Sequence, residues 1–496
     1  MTAPEGVSRR VFLAGVGLAG AALVSGCWPG SSQNPTQRPT KESAIFDLSF
    51  EITDRFRPFD LVAPGFVADA HESAGVLAEL VHSASGPEAP FAAVEVEVTD
   101  AADGVVLAGL ATASGDHVAA VYDAARQRVA ISVRRAGRTK QVRRKKTDLT
   151  GSFRLGFALC ENQVTVLADT GDGWRPLLTE RDRVAALVDL RSADVLDDFR
   201  YAWGPGSATP VQLGNVRAGL FGMTGVRDPH LVQHSDGRPY VRGGKAYFTV
   251  TCAGLGFFQQ AHWGVFTLDL ADPTRLEQVA QLFTRRDGLL LGDHAGQVVR
   301  DEDNDTWIVA TSSWGDFSFD GVHVRHLTTR DDVLSGVHLL ETEPTPLPTS
   351  VSSWDPALTR IDGRWHVAFV ESPSQDPFDF HPALARGPHG AGWAEGLEPV
   401  GAATDLHQCE GPILSRVGER WWLLASDGDN RLYPVFDLDM HRVGRLDAPY
   451  PSNIPHPQIV PLPHGGHLLV TFDGTPYAKR MMKYGGHGDV VVMRSS

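Results

Sequence analysis

The sequence predicts an all-β protein, with an N-terminal β-sandwich over residues 44–215 and a five-bladed β-propeller over residues 216–496. Three observations predict it. Short runs that alternate apolar and polar residues, broken by turns roughly every 10 to 15 positions, fill the first part and leave hardly any helical periodicity. The second part repeats one pattern five times, a strand, a polar turn and an aromatic-rich strand, at a period of roughly 45 to 65 residues that marks a propeller. The 496 residues, with 51 Gly and 32 Pro, exceed what one core holds, so two or three domains are expected.

At the start of the chain, Ser8-Arg9-Arg10-Val11-Phe12-Leu13 sets a twin arginine before an apolar run from Val11 to Val24. That run is shorter than the roughly 20 residues a bilayer-spanning helix needs, so residues 1–26 read as an export signal. The twin arginine resembles a Tat-type signal. The stretch Leu23-Val24-Ser25-Gly26-Cys27 resembles a bacterial lipobox, which implies a lipidated Cys27 and a lipoprotein on the outer face of the cell membrane. Residues 27–43 are rich in Pro, Ser, Gln, Thr and Gly, too polar to bury a core, and read as a flexible tether.

The first domain is expected from runs such as Ala92-Ala93-Val94-Glu95-Val96, Arg128-Val129-Ala130-Ile131-Ser132-Val133 and Phe153-Arg154-Leu155-Gly156-Phe157. Their order resembles the lectin-like sandwiches of the concanavalin and laminin-G type. That leaves two readings open, a sugar-binding module and a packing domain that braces its neighbour. Trp174, after Gly171-Asp172-Gly173, is either a sugar platform or core. The basic run Arg143-Arg144-Lys145-Lys146 reads as a solvated strand end or turn. With a formal charge of −15, no nucleic-acid partner is expected. Of the four cysteines, none has the spacing of a thiolate metal site.

Five openings carry the propeller: Arg227-Asp228-Pro229-His230, His294-Ala295-Gly296-Gln297, Ser353-Trp354-Asp355-Pro356, Cys409-Glu410-Gly411-Pro412 and Pro455-His456-Pro457-Gln458. Innermost strands of a propeller line its axis, so equivalent positions at their starts converge. The residues expected in that slot are Asp228, Asp355, Glu410 and His456, with His294 or nothing from the second unit. Carboxylates crowded into a partly dry funnel raise one another's pKa. Glycoside hydrolysis uses that condition, with one carboxylate ionised and another protonated.

On these motifs the chain resembles glycoside hydrolase family 43, five-bladed propellers acting mostly on arabinose- and xylose-containing glycans with inversion. The resemblance covers residues 216–496. It implies Asp228 as general base, Asp355 as the residue that tunes the acid, and Glu410, in Glu-Gly-Pro, as general acid. It also implies a polysaccharide or oligosaccharide substrate, no required cofactor, and at His456 a binding residue that could hold a single axial metal ion such as calcium. Arg227, Trp314 and Trp354 are further candidate substrate contacts.

Plainer roles stay open. Asp228 and Asp355, each before Pro, could cap turns, the tryptophans could pack between blades, and Arg227 could pair with an acidic neighbour. A retaining fructan hydrolase of family 32 type is the alternative enzyme, since it shares Asp-Pro, Arg-Asp-Pro and Glu-Cys signatures. Against it, Glu410 follows the cysteine, and Arg227-Asp228-Pro229 lies in the first repeat. A glycan-binding surface lipoprotein without activity is the non-enzymatic alternative.

Overall fold

The computed structural model describes residues 45–318, 321–476 and 488–495. The signal segment, Cys27 and the tether lie outside them. Two twisted sheets packed face to face make the sandwich. One runs in the order Arg175–Glu180, Gln163–Asp169, Phe153–Cys160, Phe91–Asp100, Val211–Met223, Asp60–His71. The other runs Val81–His82, Arg200–Pro205, Val105–Ala111, His117–Asp123, Arg128–Arg135, Arg138–Lys146. Val94, Val96, Ile131, Phe157 and Trp203 meet in the core between them, which the alternation in these strands requires.

Five further sheets are the blades. Their innermost strands are Val226–Leu231, His294–Asp301, Ser352–Ile361, Cys409–Val417 and Gln458–Pro461, each followed outward by an antiparallel neighbour. No blade buries its own faces. The cores lie between neighbours, as where Trp263 and Val265 of the first blade meet Val298 and Val309 of the second. Buried side chains also stitch inner strands together: Gln297 Oε1 accepts the Leu358 N–H at 2.7 Å and Gln458 Oε1 accepts the Leu231 N–H at 3.0 Å. The second of these bonds joins the last blade to the first and closes the ring.

The domain limits differ from expectation at both ends of the sandwich. Phe50–Phe56, expected there, is the outermost strand of the fifth blade and pairs antiparallel with Asp489–Ser495 from Phe50↔Ser495 to Phe56↔Val490. The edge of Asp489–Ser495 would otherwise stand open. Phe50 and Ile45 are buried in the core between blades four and five, so this segment has its hydrophobic partners there. At the other end, Val211–Met223 is one continuous sandwich strand across the expected boundary at 215.

The sandwich packs on the propeller through Phe91, Phe221, Leu255 and Phe283. Two polar links cross the same junction: Glu161 Oε1 accepts the Gly292 N–H at 3.1 Å, and Gln163 donates to the Leu255 carbonyl. Cys160, Cys252 and Cys409 are buried free thiols. Burial pushes the Cys160 thiol up to about 12, so it stays protonated and unreactive.

Candidate active site

Four inner strands break register near their starts, between Arg227 and His230, His294 and Gln297, Trp354 and Ala357, and Glu410 and Ile413. Each break is a β-bulge, which inserts a residue and re-aims the side chains beside it. The second residue of every bulge is left-handed: Asp228 has φ 48°, Ala295 54°, Asp355 51° and Gly411 65°. For a residue with a Cβ that conformation costs on the order of 1–2 kcal/mol, and Asp is among the few that tolerate it. The following Pro229, Pro356 and Pro412 sit where the ladder is already interrupted, so the N–H they lack is not missed.

The bulges correct the expected slot. Asp228, Ala295, Asp355 and Gly411 occupy one ring of positions, and Arg227, His294, Trp354 and Glu410 occupy the ring one residue earlier. Glu410 thus approaches the axis from a different level than the two aspartates. It is also half-buried, whereas Asp228 and Asp355 are buried.

All three acids nevertheless meet at one atom. His456 Nε2 stands 3.8 Å from Asp228 Oδ1, 3.6 Å from Asp355 Oδ2 and 3.9 Å from Glu410 Oε1. Room for the ring depends on Gly411, where an added Cβ would lie 2.3 Å from His456 Cδ2. The Gly411 N–H also donates to Asp355 Oδ2 at 3.1 Å, joining the third blade to the fourth. Arg227 reaches within 3.7 Å of Asp228 Oδ1 while its guanidinium lies 5.9 Å from the Phe258 and Phe472 ring centres.

Charge is distributed unevenly among these groups. Burial alone would raise the Asp228 pKa, but Arg227, His456 and His294 outweigh it and hold the carboxyl low. Asp355 is raised, first by burial and then by Glu410 and Asp228, against the pull of His456. His456 is raised despite its burial, because Asp355, Glu410 and Asp228 surround it. The result is an ionised Asp228 beside an imidazolium. Asp228 Oδ1 and His456 Nε2 are buried with no hydrogen-bond partner in the protein, as are His230 Nε2 and Gln458 Nε2. These residues line an axial cavity of ≈ 10 Å³, about the size of one water.

Two expected roles are corrected. Trp354 is 1 % exposed and Trp314 6 %, packed on each other at 5.4 Å and against Phe380 and Phe258 respectively, so neither presents a face to a sugar. Trp354 instead donates its indole N–H to Glu410 Oε2 at 3.1 Å. As for a metal at His456, ligation needs an unprotonated nitrogen. The surrounding carboxylates hold the His456 pKa raised, and no metal-holding group of three His, Cys, Asp or Glu occurs among the described residues. The residues present do not fit direct ligation.

The expected site residues omitted His230 and Gln458 and left His294 open. His294 is buried, donates from Nδ1 to the Gly292 carbonyl at 2.8 Å and stacks on Trp314 at 6.3 Å. The bond fixes the tautomer that leaves Nε2 an acceptor. Aligning the blade openings by their bulges, and not by their acids, would have settled its place. Cys27 lies outside the described residues.

No protein-family model matches this chain, and no curated protein does. Solved structures similar to it include the GH43_1 enzyme from Xanthomonas citri complexed with xylose, at 16 % identity and TM-score 0.38, covering 54 % of this chain and 88 % of that one. An alpha-L-arabinanase of Penicillium chrysogenum complexed with arabinobiose has 11 % identity and TM-score 0.35, covering 70 % and 91 %. A levansucrase of Bacillus subtilis in complex with oligosaccharides has 9 % identity and TM-score 0.39, covering 55 % and 86 %. The propeller itself is read from the strand pairings.

Proposed function

We propose that this protein is an inverting glycoside hydrolase whose acid and base are Glu410 and Asp228. One observation carries the reading: acids from blades one, three and four stand within 4 Å of a single buried imidazole nitrogen. Held ionised, Asp228 would take a proton from a water as its oxygen attacks the anomeric carbon. Glu410 would give its proton to the leaving oxygen as the glycosidic bond breaks. Trp354 occupies Oε2, which leaves Oε1, the atom near His456, to carry that proton. Asp355 would act through Gly411, holding the peptide that follows the acid. With the tryptophans buried, sugar stacking would pass to the half-buried Phe257 and Phe378 beside them.

The substrate proposed is an arabinose- or xylose-type polysaccharide, on the strength of the Asp-Pro and Glu-Gly-Pro motifs. Lipid attachment at Cys27 would hold the enzyme at the outer face of the membrane. The test is to incubate the purified protein with arabinan, arabinogalactan, xylan and fructan, count reducing ends, and read the first anomer by proton NMR. Inverted product is expected, lost in Glu410→Gln and Asp228→Asn. Retained product favours the fructan-type mechanism, and no product from any glycan overturns the enzymatic reading.

A further inference from the structure

The six-stranded sheet of the sandwich ends on the strand Arg138–Lys146, which pairs on one side only. Its sequence is RTKQVRRKK, and of its 9 residues all but Val142 are exposed. Six are cations in a molecule whose formal charge is −15. The pairing shifts register between Gln141 and Arg143, so by their pairing partners Arg138, Lys140, Arg143 and Lys145 fall on one side of the sheet and Arg144 and Lys146 on the other, along about 30 Å of edge. The neighbouring strand places Arg128 opposite Lys146 and Arg135 opposite Arg138, and adds no acid.

Few of these charges are answered. Arg143 donates to the Thr179 carbonyl at 2.8 Å and lies 3.9 Å from Glu180. Arg128 reaches Asp123 at 3.4 Å and Arg135 reaches Asp116 at 3.8 Å. Arg138, Lys140, Arg144, Lys145 and Lys146 pair with no carboxylate among the described residues. A lysine or two is enough to keep an edge strand from pairing with another chain. Five unanswered cations on one short strand exceed what that task needs.

We propose that this strand is a binding track for a polyanionic glycan, one that bears carboxylates along its chain in the manner of a polyuronate. A membrane surface is the competing partner: anionic headgroups can hold a polybasic patch through charge alone, while insertion into lipid takes large apolar side chains. The exposed ones among the described residues are Phe46, Ile52, Val76, Val241 and Val443, none on this strand or its neighbour. Single-stranded nucleic acid would want stacking aromatics, and neither strand has any. A run of guanidinium and ammonium groups along one extended edge matches a linear polymer of carboxylates in extent and sign. The inference stands on the sandwich alone and not on the hydrolase reading.

The experiment measures binding of the whole protein to polygalacturonate, neutral arabinan, polyphosphate and vesicles containing an anionic phospholipid, at about 50 and 300 mM NaCl. Binding to polygalacturonate is expected, weakening at least tenfold at the higher salt as screening requires. A further tenfold loss is expected in the triple variant Lys140→Glu, Arg144→Glu, Lys146→Glu. The corresponding triple Gln variant should give an intermediate loss at unchanged Tm, which separates charge from misfolding. Absence of polygalacturonate binding, equal binding by the variants, or tighter binding of polyphosphate or vesicles overturns the proposal. Hydrolysis of a neutral glycan is measured separately and is untouched by that failure.

Discussion

The indole N–H of Trp354 donates to Glu410 Oε2 at 3.1 Å, so a residue of the third blade fixes the carboxyl group of the fourth. The bond crosses between two inner strands, and both partners occupy the same position in their bulges. Replacing Trp354 by Phe keeps most of the packing against Trp314 and Phe380 and removes the donor. About a tenfold fall in kcat with KM little changed is expected, because positioning one acid group is worth a fraction of the roughly 10²–10⁴ that acid–base assistance supplies. Steady-state kinetics on the glycan found active checks it.

His456 is the counter-charge at the centre of three acids. His456→Ala should destabilise the fold by about 3–5 kcal/mol, since it takes the imidazolium away from the buried, ionised Asp228, whereas Asp355→Asn should be far milder. Denaturant titration compares them.

The same site sets a dependence on alkaline pH. The His456 pKa is raised in the folded state, as is that of Asp355. Each therefore binds a proton that the unfolded chain has released, and both act in the same sense. The stability His456 contributes is complete below its unfolded pKa near 6.5 and is lost as pH rises through about 9. Tm measured from pH 6.5 to 9.5 should fall, and the fall should be smaller in His456→Gln.

Acid acts through other histidines. His262 is fully buried among Phe91, Phe221 and Phe283 with neither ring nitrogen hydrogen-bonded, and burial lowers its pKa to about 3. The unfolded chain takes up that proton first, so stability present above pH 6.5 is lost as pH falls toward 3. His262→Phe should raise stability at neutral pH by about 1 kcal/mol, by removing an unpaired polar group, and should flatten the acid limb. Thermal melts of the two proteins between pH 4 and 7 decide it.

Gly411→Ala should cost more than about 2 kcal/mol, because the new methyl would meet the His456 ring and the φ of 65° disfavours a Cβ. Urea unfolding reads the loss directly.

Much of this was legible in residues. The five openings carried the blades because each begins with the same turn chemistry and an apolar strand, and the acids Asp228, Asp355 and Glu410 were visible by their Pro and Gly-Pro contexts. What the residues hid was the extra residue in each bulge, which has no composition of its own and shifts Glu410 one ring away from the aspartates. Trp314 and Trp354 misled for a related reason, since aromatic side chains serve sugars and cores with the same chemistry, and only packing separates the two. The membership of Phe50–Phe56 was unreadable, because an alternating strand does not name its partner.

That strand has a consequence for how the molecule is made. Phe50–Phe56 finds its partner Asp489–Ser495 nearly the whole chain away; Thr53 and Val492, which touch across the pair, are 439 positions apart. At translation speeds of roughly 5–20 residues per second, the early strand waits about 20 to 90 seconds for its mate. A nascent chain on the ribosome is therefore an unsealed ring until its last strand emerges.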